Sequence, residues 1–550
     1  MNSLLLLLAN EKFTLSSLLD RPGYDEENLS RLKLFLALFT LVVLFYESSR
    51  DAEGNPVPQR IKKIAGGVLA VAGIISYFQF FQIGYKEFYH RWEFFHYYMG
   101  SKYFKEIGFE GIYTCAAVAE SDLGYVKDAK ARKLRDLRVN LIVSSEEWIK
   151  HPEKCKDGFS RPFTPEKWED FKKDVDFFRR VSLGNYWVDM QKDHGYNPPP
   201  AWGLTGWIFA NLHPAVEWYM KLLSCLDIGL FAGMFGLIAW AFGWRVMVVA
   251  ILFWGTQDAS PFYWTGGAFL RQDWLFYLVA SACMVRKKHY FWGGFFMTYS
   301  TLLRVFPLFF FAGWAVVIAA HLYKKRTILD SHKKLIMGAF ASGIILIAAS
   351  SAVHGAKAWP SFISHIAVHN GTPLTNHMGW KTIVAHRADG RMQVAKDPKQ
   401  QDPFEGWKQM RRDRVKQLAP IYYGGMGLML ACFGYACWRI KNLWVVQALG
   451  CLVTTICVEL TCYYYSYFLL GAMLSKGRRQ IEYGLLVAAA LTELFHLNYG
   501  WFDDRFTAMS VPFVVLGVFM VLLYMRNPWI SLEEAKARAK AAMAPYPAEG

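Results

Sequence analysis

Glu93 and His96 stand three residues apart in WEFFHYYMG (92–100). On a helix that spacing puts a carboxylate and an imidazole on one face, where both could act on one ligand. Aromatic walls that partly desolvate a carboxylate raise its pKa toward the range useful to a general base. The plain alternative is an interfacial aromatic belt carrying one solvated glutamate. Arg271 and Asp273 in GGAFLRQDW (266–274) are a second ionisable pair at an apolar boundary, read either as ligand contacts or as an interfacial ion pair. Arg304 lies inside an apolar stretch with no acid beside it. Charges so placed mark a cavity or a ligand path, and a guanidinium near a lipid boundary suits a phosphate.

A further group lies in WPSFISHIAVHNGTPLTNHMGWKTIVAHR (359–387). His365 and His369 have the i, i+4 spacing of a helical metal pair. No third ligand can be named, so a divalent metal stays an option and no cofactor is assigned. His369, Asn376, His377 and Lys381 are instead candidate contacts for a phosphate or a sugar. In NYGWFDDRF (498–506), Asp503, Asp504 and Arg505 read as a solvated turn. Asp227 and Glu459, acids within or beside apolar runs, would suit a proton path, although two scattered acids make a weak case for a pump. Phosphate-loop, nucleophile-elbow, zinc-protease, calcium-loop and dinucleotide fingerprints have no convincing context.

The elements that must position these residues are apolar runs. The 550 residues are 54% hydrophobic, 17% aromatic and 19% charged, with a mean hydropathy of +0.14. Runs fall near 31–47, 63–83, 215–242, 245–257, 267–285, 290–303, 305–322, 335–355, 419–438, 442–458, 460–474, 480–497 and 508–525. Several approach the roughly 20 residues that span a hydrocarbon core. The expected fold is an all-α polytopic membrane protein with about 11–13 transmembrane helices and two large outer loops carrying amphipathic helices. Arg304 and Pro307 interrupt the 290–322 region, which is either a hairpin or one kinked helix.

The net charge of +16 comes largely from Lys and Arg clusters at the ends of these runs, so it sets orientation and does not indicate nucleic acid. Short connections with basic residues, among them Arg60, Arg245, Arg286, Lys324, Arg439 and Arg478, all fall on one face, which the positive-inside rule makes cytoplasmic. The polar segments 84–214 and 356–418 then share the opposite face. The expected divisions are an N-terminal segment with two spans (1–83), a first outer loop (84–214), a central bundle (215–355), a second outer loop (356–418), a C-terminal bundle (419–526) and a cytoplasmic tail (527–550). Within the first loop, KWEDFKKDVDFFRRV (167–181) has the periodicity of an amphipathic helix. Cys115 and Cys155 can form one bridge if that loop faces an oxidising compartment. The first residues, MNSLLLLLANEKF, lack the basic start of a signal peptide.

EFFHYYMGSKYFKEIGFEGIY (93–113) and GGAFLRQDWLFYLVASACMVRKKHYFWGGFFMTYSTLLRVFPLFFF (266–311) resemble motifs of the GT-C superfamily of integral-membrane glycosyltransferases, in the polyprenyl-phosphate-sugar-dependent, mannosyltransferase-like branch. There an acidic residue follows a span ahead of a Tyr-rich helix, and a hairpin ends in a basic residue and proline. Glu93 takes the acidic place, where aspartate is usual, and Arg304 the basic one. An extra span precedes the acidic loop. The resemblance implies a hexosyltransferase with a polyprenyl-phosphate-linked sugar donor and a lipid, glycan or protein acceptor. It would work among the lipids of a bacterial inner (plasma) membrane with its large loops periplasmic. Glu93 would be the base, Arg304 the phosphate ligand, and Arg271, His369 and Lys381 lesser binding residues. The rival readings are a multi-pass transporter or lipid-handling permease, and a non-catalytic membrane subunit.

Overall fold

The computed structural model describes residues 25–82, 88–182, 184–400 and 402–526. The N-terminal LLLLL stretch and the tail both lie outside these. Within them the chain is predominantly helical, with two small two-stranded antiparallel sheets. Among the described residues five helical stretches are long and apolar enough to cross a membrane: Glu26–Ala52, Glu217–Phe242 with an interruption at Cys225, Phe306–Lys325 with a 3₁₀ start, Asp330–His354 and Phe502–Arg526. The chain is therefore an all-α membrane protein. At 1.5 Å per residue, the 27 residues of Glu26–Ala52 extend about 40 Å, more than a hydrocarbon core requires. Large apolar side chains such as Phe340, Ile344 and Leu428 stay exposed on this bundle, as surfaces facing lipid do.

Several apolar runs are not single helices. The 63–83 run is helical only as Gln59–Tyr77, and Gln79, Phe80 and Phe81 then take positive φ. The 215–242 run breaks at Cys225. In the 267–285 run, helix begins at Asp273, after a buried irregular loop. The 290–322 region is discontinuous: Tyr290–Leu303 ends where Arg304 turns extended (φ −149, ψ 135), and Phe311–Lys325 follows a 3₁₀ turn. Pro307 in that turn, with no N–H to donate, prevents one continuous helix. The 460–474 run holds a strand residue pair, a 3₁₀ segment and the six-residue helix Leu469–Leu474.

The first polar segment packs its aromatic side chains into the same continuous core as the apolar helices. Thr164 caps helix Pro165–Val181 through the Lys167 N–H at 3.2 Å, and the helix buries Trp168, Phe171, Val175, Phe177 and Phe178. Its Asp174 is equally buried, because Lys102 Nζ (2.6 Å), Tyr103 Oη (2.7 Å) and the Ala215 N–H (2.9 Å) all donate to it. The amphipathic pattern thus serves internal packing. Cys115 and Cys155 are joined by a disulfide.

Two buried polar groups fasten the first helix to the bundle. Near its C-terminal end, Glu47 meets Lys62 (2.7 Å), Arg245 (2.7 Å) and Arg479 (3.1 Å), and Arg245 also meets Glu482 at 2.7 Å. At the other end Ser30 Oγ donates to Glu493 at 2.5 Å, beside the Asp258–His496 pair at 2.6 Å.

Candidate functional site

Three separated stretches bring their charges together. His90 donates its N–H to the Gly267 carbonyl at 2.9 Å, so the start of helix Arg91–Phe94 docks on the loop before Asp273. That loop is held from below by Asp227, whose carboxylate accepts the N–H groups of Arg271 (3.1 Å) and Gln272 (3.2 Å). Its Leu270 takes a positive φ of 49°, and the Leu270 carbonyl accepts Trp202 Nε1 at 3.0 Å. These contacts fix the direction in which Arg271 leaves the backbone. Asp227 is thus a backbone anchor, a role that a scattered membrane acid does not suggest from sequence.

Arg271 Nε lies 2.8 Å from Glu93 Oε2. The pair is an ion contact without hydrogen-bond alignment at those two atoms. The Arg271 side chain is 2% exposed and that of Glu93 15%. Arg271 also bonds the Tyr97 hydroxyl, and its guanidinium stands 4.4 Å from the Tyr97 ring centroid and 5.2 Å from that of Tyr463. Burial raises the Glu93 carboxyl above its usual range, and the charge of Arg271 opposes that rise.

Arg304 approaches Tyr97 as well, with its guanidinium 5.6 Å from that ring and 5.6 Å from Trp202. It is 5% exposed. Nη1 donates to the Leu303 carbonyl at 2.7 Å, whereas Nε and Nη2 have no hydrogen-bond partner among the described residues. A buried guanidinium with unmatched donors costs free energy, about 1–3 kcal/mol for each unsatisfied group, so these two donors are open to an anionic partner, while buried Asp273 acts on Arg304 only through its charge. The site is therefore a buried ring of Glu93, Arg271, Tyr97 and Arg304, walled by Trp202 and Tyr463.

The other expected residues are placed differently. Asp273 is buried and accepts its neighbour Trp274's N–H at 2.8 Å, and Arg271 pairs with Glu93 in its stead. His96 has both ring nitrogens engaged, by the Trp92 carbonyl at 2.8 Å and the Tyr113 hydroxyl at 2.6 Å. It lies in the π-helical turn Phe95–Met99, and its engagement leaves no nitrogen for a ligand shared with Glu93. His365 Nε2 meets Asn197 at 2.6 Å, and the His369 ring faces His194 at 5.6 Å. Among the described residues no three His, Cys, Asp or Glu side chains gather as metal ligands.

His377 and Lys381 belong to a second cluster, on Glu459. Its carboxylate receives Arg411 Nη2 (2.8 Å), Lys381 Nζ (3.0 Å) and Thr382 Oγ1 (3.0 Å), with His377 Nδ1 at 3.9 Å. Burial pushes Glu459 up, but Arg411, His377 and Lys381 outweigh it and hold the carboxyl well below its usual range. The two clusters share a backbone. His377–Met378 pairs with Leu460–Thr461, the Asn376 carbonyl accepts the Cys462 N–H at 2.8 Å, and the next residue, Tyr463, faces Arg271.

The 498–506 stretch is no solvated turn. Asp503, Asp504 and Arg505 begin helix Phe502–Arg526 and are at most 8% exposed. Asp503 accepts the Met392 N–H at 2.7 Å and Asp504 accepts Arg391 Nε at 2.6 Å, so they clamp the second polar segment.

Comparison of the chain with protein-family models, curated proteins and solved structures finds no match.

Proposed function

We propose that the chain is a membrane glycosyltransferase of GT-C type, transferring a sugar from a polyprenyl-phosphate donor to an acceptor on the outer face of a bacterial inner membrane. The observation that carries this reading is Arg304, buried with two unmatched donors beside the buried Glu93–Arg271 pair. A lipid-borne phosphate is the anion that a guanidinium among membrane helices would meet. The disulfide in the first polar segment supports an oxidising compartment for that face, as does the gathering of basic clusters at the opposite ends of the apolar runs.

In the proposed reaction an acceptor hydroxyl attacks the anomeric carbon, and the bond from that carbon to the phosphate oxygen breaks. Glu93 takes the hydroxyl proton. The departing polyprenyl phosphate gains one negative charge, which Arg304 and Arg271 stabilise. Arg271 pairs with Glu93 before the donor arrives. A phosphate that draws Arg271 toward itself removes the counter-ion opposing Glu93's raised pKa and makes the carboxylate a stronger base at the moment it is needed. Lys381 and His377 reach this centre only through the segment 459–463, so their role is to hold the second polar segment over it.

The test supplies purified protein in lipid or detergent with polyprenyl-phosphate sugars and a panel of acceptors. Transfer that depends on Glu93 and Arg304 upholds the reading. No transfer from any such donor by the unaltered protein favours a permease or a non-catalytic subunit.

A further inference from the structure

A cavity of about 1230 Å³ opens between the two polar segments, and neither Glu93, Arg271 nor Arg304 lines it. Seven basic residues face it against two acidic ones. The two acids are already matched: Asp128 meets Arg179 at 2.8 Å and Asp189 meets Lys192 at 2.8 Å. Arg132 is paired with Glu120. Lys133, Lys396 and Lys399 are exposed and have no carboxylate partner among the described residues. Arg135 is 5% exposed and bonds only neutral oxygens, those of Lys192 (2.8 Å) and Asn140 (3.0 and 3.1 Å). Lys133, Lys396 and Lys399, on two chain segments, thus face one cleft uncompensated, and Arg135 beside them meets Asp402 and Asp193 only through charge at a distance.

Size and lining narrow the ligand. Small-molecule sites hold about 300–1,000 Å³, so this one has room for a chain of several sugar rings. Half-buried Ile142, Val188 and Phe404 give the wall apolar faces, which sugar rings use and a bare polyphosphate does not. The wall of the cleft is also tied to the site through the backbone. Lys192 lines it, and the next residue, Asp193, accepts Trp92 Nε1 at 2.6 Å, beside Glu93.

We infer that this cleft binds an anionic oligosaccharide, the acceptor chain that the proposed transferase would extend. The inference rests on that reading for the acceptor role alone; the binding stands on the cleft's own chemistry. The probe is tetragalacturonate, titrated into the full chain in detergent at low salt by calorimetry, with maltotetraose as the neutral chain and tripolyphosphate as the sugar-free anion. Saturable binding of tetragalacturonate is expected, weaker with added salt, with neither control competing. The variant Lys133→Glu/Lys396→Glu/Lys399→Glu changes only exposed side chains, and should lose about tenfold or more in affinity while keeping the wild-type melting temperature. Arg135→Gln should weaken binding in the same direction. Each titration is repeated in Glu93→Gln, which leaves the cleft intact: binding retained there, with or without any transfer activity, upholds the cleft. Absent binding, equal binding by the triple variant, or equal binding of maltotetraose or tripolyphosphate overturns it.

Discussion

Glu93 Oε2 and Arg271 Nε meet at 2.8 Å in the interior, although 178 positions separate them in the chain (271 − 93). Each is the ionic partner of the other in a site from which water is largely excluded. Arg271→Gln should therefore leave a buried, unpaired carboxylate and cost about 3–5 kcal/mol, whereas Glu93→Gln/Arg271→Gln should cost less than the single change. A thermal-denaturation double-mutant cycle measures the coupling, and additive losses would remove the pair from the account.

Arg304 behaves in the opposite way. Its Nε and Nη2 are buried without partners, so Arg304→Met should leave stability unchanged or raise it, while transfer falls roughly 10²–10³-fold. A melting curve and an assay on the same preparation check this. A strongly destabilised variant would make Arg304 structural.

Glu459 provides a stability prediction with a definite sign. Its folded carboxyl is held low by Arg411, His377 and Lys381 once burial is overcome, so its contribution is present above about pH 4.3, the unfolded value. That contribution is lost as the pH falls through the lower folded value. Glu459→Gln should lower the melting temperature at pH 7 and lose most of that deficit in strong acid. A deficit independent of pH would contradict the clamp.

The Cys115–Cys155 bridge closes a separation of 40 residues in the first polar segment. Cys115→Ser/Cys155→Ser should destabilise that segment by about 2–5 kcal/mol. Alkylation followed by mass spectrometry should leave both cysteines unlabelled until reductant is added. Labelling of the native protein without reductant would place the segment in a reducing compartment.

The helices were legible because long apolar runs have few alternatives in a chain of this composition; the break at 304–310 carries a local sign in Arg304 and Pro307, whereas those at Gln79–Phe81 and Cys225 carry none. Arg271, Arg304 and Glu93 were legible singly, as charges where charges are costly. Their meeting was not, and neither were the partners that fix them. Nothing near Asp227 in sequence reveals that it holds the Arg271 backbone. Arg411 reaches Glu459 across 48 residues, and the strand pairing of His377 with Thr461 that joins the two clusters is equally long-range. The acids of 498–506 looked solvated because a short polar stretch carries no mark of what will cover it. His96 shared a helical spacing with Glu93, but a π-turn and Tyr113 took its ring elsewhere.

The proposed role of Glu93 as the base is tested most directly by the pH dependence of transfer. Burial raises the Glu93 carboxyl and a base must be deprotonated, so kcat/KM should climb with pH along an acid limb lying above the ordinary glutamate value of about 4.3. Glu93→Gln should lower kcat/KM roughly 10²–10⁴-fold and abolish that limb. Transfer by Glu93→Gln at the wild-type rate, with the acid limb unchanged, would contradict the account.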